Sequence, residues 1–170
     1  MKIRYTKKGF SLIEMMITIS IFAVIGVLVT SSMALTLRSS KKSDSLVRVR
    51  ESLNYSLSSL ERQIRNSEKI TSTCAITGTT STSISYISIE GITTQFECKT
   101  PGALGYIASG SASLRLTPSD ISITSCSFTC TQAVNSPAII KVNVTAEDNT
   151  STSTEKGSVS TTMEIITRNY

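Results

Sequence analysis

The side chain most exposed to chemical demand in this chain is Glu14, a carboxylate set inside an apolar run that begins at Phe10. No other residue between Phe10 and Leu37 carries a charge. A charged group placed in hydrocarbon costs about 2.5–3.5 kcal/mol on insertion scales, so such a carboxylate calls for a partner. Hydrolysis of the peptide bond between Gly9 and Phe10 would create one, a free α-amine on Phe10, one helical turn from Glu14. Within one chain the two charges could pair weakly. Between chains staggered along a common axis they would neutralise each other and set the register. The alternative is that Glu14 lies at the headgroup boundary with its charge solvated.

The second group of reactive side chains is Cys74, Cys98, Cys126 and Cys130. An even number of cysteines outside the cytoplasm favours disulfides over metal binding. In one extended strand Cys126 and Cys130 would stand about 13 Å apart, at about 3.3 Å per residue, whereas a bridge needs Cα atoms within about 7 Å. Unless a turn intervenes, they pair with Cys74 and Cys98. Phe96 and Cys98 share one strand face, and Cys126, Phe128 and Cys130 share another, so a bridge between those two strands is the preferred connection. A four-thiolate zinc site lacks any Cys-x-x-Cys pair. Histidine is absent, which removes Ser-His-Asp and Cys-His catalysis and histidine metal sites. No catalytic residue, metal site or cofactor is expected, and the chain does not read as an enzyme. Glu147, Asp148 and Asn149 with Glu155 could offer oxygens to calcium, but their spacing fits no EF-hand loop and reads as a surface loop. Asn54, Asn143 and Asn149 each open an N-x-Ser/Thr triplet, matches that chance supplies in so Ser/Thr-rich a chain.

The elements that must carry these groups change character along the chain. At about 1.5 Å per helical residue, the run from Phe10 to Leu37 spans the roughly 30 Å hydrocarbon core of a bilayer. Lys2, Arg4, Lys7 and Lys8 precede it, which keeps the N-terminus cytoplasmic and sends the rest of the chain across. A secretory signal peptide is the competitor, with Ser31, Ser32 and Ala34 as a loose cleavage site, but Glu14 argues against it. From Arg38 to Lys69 the helix continues as an amphipathic stretch, with Leu46, Val49, Leu53, Leu57, Leu60 and Ile64 on one face. Neither Gly nor Pro occurs between Val27 and Thr77, so one helix is expected from near Phe10 to near Lys69, about 90 Å long.

Beyond Ile70 the period falls to two and β-branched residues dominate. Strands are expected over 83–90 and 92–99 around a turn at Gly91, over 103–108 and 111–117 across Gly110, and over 121–131, 138–147 and 158–168. Pro101-Gly102 and Pro118-Ser119-Asp120 read as turns, and 149–157 as a polar loop. One long helix followed by strands is an α+β pattern, the helix covering one face of an antiparallel sheet. The expected parts are a basic N-terminal segment, 1–9; a transmembrane helix, 10–37, which the resemblance described below makes a filament-core helix behind a cleaved leader; the amphipathic half of the same helix, 38–69; and an extracytoplasmic β-rich domain, 70–170.

The formal charge of +5 on 170 residues does not mark a nucleic-acid surface. Without the four leader cations, 13 basic residues face 12 acidic ones, and from Ile70 onward five face seven. The basicity belongs to membrane topology and the helix.

The run Lys7-Lys8-Gly9-Phe10-Ser11-Leu12-Ile13-Glu14-Met15-Met16 and the apolar helix after it resemble the class III signal of type IV prepilins and of the pseudopilins of type II secretion. The resemblance implies a pilin-like fold, a prepilin peptidase that cuts between Gly9 and Phe10, N-methylation of Phe10, and Glu14 as the assembly carboxylate. It also implies a structural subunit of a pilus or pseudopilus, with other pilin or pseudopilin subunits and an inner-membrane assembly platform as partners. Membrane lipid surrounds the helix before assembly. Many major pilins carry a proline about two-thirds along this helix, where Val29, Thr30, Ser31 and Ser32 stand here, a departure that favours a minor subunit. The run Leu114-Arg115-Leu116-Thr117-Pro118 before Ser119-Asp120-Ile121-Ser122-Ile123 is similar to the sheet region of PulJ-like pseudopilins and related minor pilins. The competing functions are an unprocessed, membrane-tethered extracytoplasmic binding domain and a DNA-uptake competence pilin, the latter disfavoured by the mildly acidic outer domain.

Overall fold

The computed structural model describes residues 9–99, 104–110, 112–151 and 156–168. It contains one helix, α1 (Leu12–Arg65), and nine strands: β1 (Lys69–Ile70), β2 (Thr79–Ser81), β3 (Ser83–Ile87), β4 (Thr93–Lys99), β5 (Tyr106–Ser109), β6 (Leu114–Arg115), β7 (Ile121–Thr131), β8 (Ile139–Asp148) and β9 (Ser158–Ile166). The chain divides into two units, Met1–Ser40 and Lys41–Tyr170.

In the first unit the described part of the helix is apolar and bare. Phe10, Leu12 and Phe22 are each about three-quarters exposed, and the most apolar window of α1 has no buried residue. Its hydroxyls turn inward on their own backbone: Thr18 donates to Met15 O, Ser20 to Ile17 O, Thr30 to Gly26 O, Ser31 to Leu28 O and Thr36 to Ser32 O. A polar group that satisfies itself within the helix can enter hydrocarbon without an unpaired donor. No proline or glycine interrupts the run except Gly26, and the helix continues through it.

The second unit has the expected α+β architecture, a helix packed on antiparallel strands. The periodic face of α1 is the one it buries: Val49, Leu53, Leu57, Leu60 and Ile64 are fully covered, and Leu46 is partly so. Ser45 and Ser56 are buried on the same side. The helix ends at Arg65, short of the expected Lys69. Ser67 donates both N–H and Oγ to Ile64 O, and Glu68 N then bonds Ile87 O, so the chain leaves the helix to pair as β1 with β3. Strand pairing, which has no local sequence mark here, stops the helix.

The strands form two sheets where the sequence suggested one. Sheet order is β1-β3-β4-β5-β6 in the first and β2-β7-β8-β9 in the second, and every pair of neighbouring strands is antiparallel. Gly91 and Gly110 turn the β3–β4 and β5–β6 connections with positive φ, a conformation glycine adopts without penalty. The turn expected at Pro101-Gly102 lies outside the described residues. β1 and β2 are strands the sequence pattern did not mark, being only two and three residues long.

Both sheets and the helix share one core, including Ile84, Tyr86 and Phe96 from the first sheet and Phe128, Ile140, Val142, Val144 and Ile165 from the second. Tyr86 and Phe96 stack with ring centroids 5.5 Å apart, and the Tyr86 hydroxyl donates to Gln63 Oε1 of the helix at 2.8 Å. β7 holds both crosslinks. Cys98 of β4 bridges to Cys126, joining the two sheets, and Cys74 bridges to Cys130, with Cα separations of 5.8 and 4.9 Å.

Candidate functional site

Gly9, Phe10 and Ser11 precede the helix in irregular conformation, and α1 starts at Leu12. The N–H groups of Glu14 and Met15 both bond Ser11 O, at 3.1 and 3.2 Å, which makes Ser11 the residue from which the first turn hangs. Ser11-x-x-Glu14 is the sequence signature of a capping box, a signal that marks Ser11 beside Phe10 and Glu14 although charge alone passes over it. Glu14 falls in the first turn, where the unsatisfied N–H groups and the helix dipole favour a negative side chain.

All of these groups are accessible. Gly9, Phe10, Ser11 and Glu14 are exposed, and a Cβ added at Gly9 would meet nothing within 4 Å. Among the described residues no packing therefore demands glycine at position 9. The cations Lys2, Arg4, Lys7 and Lys8 lie outside the described residues.

The other candidate ligands sit elsewhere and are engaged. Asp148 is only 1% exposed. Its Oδ1 accepts from Thr150 N at 2.8 Å and Thr150 Oγ1 at 2.7 Å, and its Oδ2 accepts from Ser151 Oγ at 2.8 Å. Ser45 of the helix also donates to this carboxylate, while its oxygen accepts from Gly157 N at 2.9 Å. Burial alone would push the Asp148 carboxyl up, but the hydrogen bonds from Thr150, Ser45 and Ser151 outweigh it and hold the carboxyl well below the usual carboxylate range. The side chain is thus spent on fastening the β8–β9 loop to α1. Glu155 lies outside the described residues, and among the described residues no three His, Cys, Asp or Glu side chains cluster as a metal site would require. Asn143 lies within β8, where its Oδ1 accepts from Thr162 Oγ1 at 2.9 Å.

Residues 4–30 match the family model described as the prokaryotic N-terminal methylation motif. No match is found among curated proteins or among solved structures. The matched segment contains Gly9, Phe10 and Glu14 together with most of the bare apolar helix. Such a motif supports a role in the type IV pilin family with processing by prepilin peptidase and anchoring of the helix in a membrane. The match covers residues 4–30 alone, and that segment leads into a long helix packed on antiparallel sheets, an α+β arrangement of the pilin-like kind.

Proposed function

We propose that this protein is a minor subunit of a type IV pilus or of a type II secretion pseudopilus, and that it acts as a building element and not as a catalyst. The observation that carries the reading is the match over residues 4–30, whose apolar helix is bare among the described residues. Lipid covers such a surface before assembly and neighbouring helices cover it afterwards. Lys2, Arg4, Lys7 and Lys8 hold the leader, 1–9, on the cytoplasmic side, so residues 70–170 stand outside. The peptidase cuts after Gly9, whose lack of packing partners fits a residue demanded by an enzyme and not by this fold. Phe10 then carries the new amine, which is N-methylated and still cationic, and Glu14 of a neighbouring chain neutralises it as an inner-membrane platform lifts the helix into the filament core. The absence of proline from the apolar run favours a minor subunit over a major one.

Two measurements test this. N-terminal sequencing of the membrane-extracted protein should begin at Phe10; a start at Met1 would instead indicate a tethered domain that is never processed. Glu14→Ala should leave synthesis and insertion intact and remove the subunit from sheared filaments, and normal incorporation of the variant refutes the assigned role.

A further inference from the structure

Two stretches far apart in the sequence bring lysines to the end of the outer domain where α1 enters it. At about 1.5 Å per helical residue, the run from Phe10 to Leu37 is about 42 Å long, the thickness of a bilayer with both headgroup layers. α1 continues beyond the run without a break, and the next charges along it are Arg38, Lys41 and Lys42, ahead of Asp44. Lys41 and Lys42 open the second unit and are exposed. One turn further on, Ser45 is buried and its oxygen accepts from Gly157 N at 2.9 Å. The loop backbone lies so close there that a Cβ on Gly157 would meet Leu46 N at 2.7 Å. Asp148 fastens the start of the same loop through Thr150 and Ser151, and Arg48 of the helix donates to Thr150 Oγ1 at 3.5 Å. Lys156, next to Gly157, is thereby held at the base of the domain beside α1, and it is exposed.

None of these three lysines has a carboxylate partner: among the described residues the ion pairs are Arg65 with Glu61 and Lys99 with Glu97. Asp44 is exposed and takes part in neither pair, Asp148 is buried and spent on the loop, and Glu155 lies outside the described residues. We propose that Lys41, Lys42 and Lys156 bind the anionic phospholipid headgroups of the leaflet through which α1 reaches the outer domain. The length of the apolar run sets their depth, and the contact of Gly157 with Ser45 holds the loop lysine to the helix that carries the other two. An ammonium group close to an anionic membrane surface strengthens attachment about fivefold. The contact rests on the anchoring of α1 in a membrane and not on filament assembly, and it is given up when the helix is lifted from the bilayer.

The test is native mass spectrometry of the full chain released from nanodiscs of equal phosphatidylcholine and phosphatidylglycerol, which counts the lipids that stay bound. The wild type should retain phosphatidylglycerol in preference, and Lys41→Gln/Lys42→Gln/Lys156→Gln should lose that preference by about fivefold for each lysine. The leader cations Lys2, Arg4, Lys7 and Lys8 are present in both chains, so the difference between them reads the outer lysines alone. Lys41→Arg/Lys42→Arg/Lys156→Arg should keep the preference, and Arg62→Gln, exposed in the last turn of α1, should leave it unchanged. Raised salt should weaken it. Circular dichroism identifies a variant that has lost its fold, and Lys156→Gln alone, a change in an exposed loop, then carries the test through a partial loss. Equal retention of the two lipids by the wild type overturns the proposal, as a pole that served an acidic protein partner would give. So does a preference that survives the triple glutamine variant, or one displaced by inorganic phosphate but not by chloride at the same ionic strength, which marks a site for a free anion. A chain that does not enter the discs at all overturns the anchoring and the headgroup contact with it, whereas equal retention overturns the contact alone.

Discussion

Asp148→Asn removes one charge and almost no volume from the outer domain, and the surroundings of the carboxylate set what this should cost. The wild-type group accepts from Thr150 N, Thr150 Oγ1, Ser151 Oγ and Ser45 Oγ while 1% exposed. An amide can keep its oxygen toward Thr150 but then aims an NH2 group at Ser151 and Ser45. Hydrogen bonds to a charged acceptor contribute about 1.5–3 kcal/mol each and neutral ones about half, but four bonds that share one carboxylate add far from fully, so the loss is set at about the worth of one charged bond, about 2–3 kcal/mol. Asp148→Ala strands all four donors and should cost about 4 kcal/mol. For a domain of this size 2–3 kcal/mol lowers Tm by about 4–12 °C.

The pH dependence is the sharper signature. Because the folded carboxyl lies below its unfolded value, its contribution is fully present above the unfolded pKa of about 3.9 and is lost as pH falls through and below that value. Urea unfolding of the full chain in detergent, followed by near-ultraviolet circular dichroism from pH 7 down to about 3, should show wild-type stability falling steeply at the acid end. The Asn variant should be weaker at pH 7 and flatter in acid. If the two curves stay parallel, or if both variants lie within about 0.5 kcal/mol of wild type at neutral pH, the carboxylate does not fasten the loop in the way the geometry requires.

Other positions give separate checks. Gly105→Ala should impair folding severely, because the new Cβ would lie 2.0 Å from Ile123 O, a strand carbonyl that cannot swing away; proteolysis or thermal melting reads the loss. Gly157→Ala should destabilise as well, since its Cβ would meet Leu46 N of the helix backbone at 2.7 Å and Ser45 Oγ at 2.9 Å; a melting point equal to that of the wild type contradicts this. Replacing both Cys98 and Cys126 by Ser opens a loop with a sequence separation of 28 and should cost about 3–4 kcal/mol in the chain-entropy model, measured as a lower denaturant midpoint.

The parts legible from sequence were those set by local pattern. The spacing of Leu53, Leu57, Leu60 and Ile64 marked the buried face of α1, because helical geometry alone brings those positions together. Alternation marked β7, β8 and β9 to within a residue or two. The pairing of cysteines was narrowed by strand geometry, yet the choice of Cys126 for Cys98 and Cys130 for Cys74 came from how the two sheets meet. Asp148 was the least legible residue. As sequence it looked like one more charge in a polar loop, and only the approach of Ser45, more than a hundred positions earlier, turned it inward.

The sequence by itself determined the methylation motif over residues 4–30 and the apolar helix within it, since a charge, a glycine and a hydrophobic run form such a pattern without any tertiary context. Tertiary structure alone decided that the outer strands form two sheets, that α1 stops at Arg65 to feed β1, and that β9 lies at an edge of its sheet. Strand order, helix ends fixed by distant pairing and the burial of a single carboxylate all depend on contacts between residues far apart in the chain. Local propensity carries no record of such contacts.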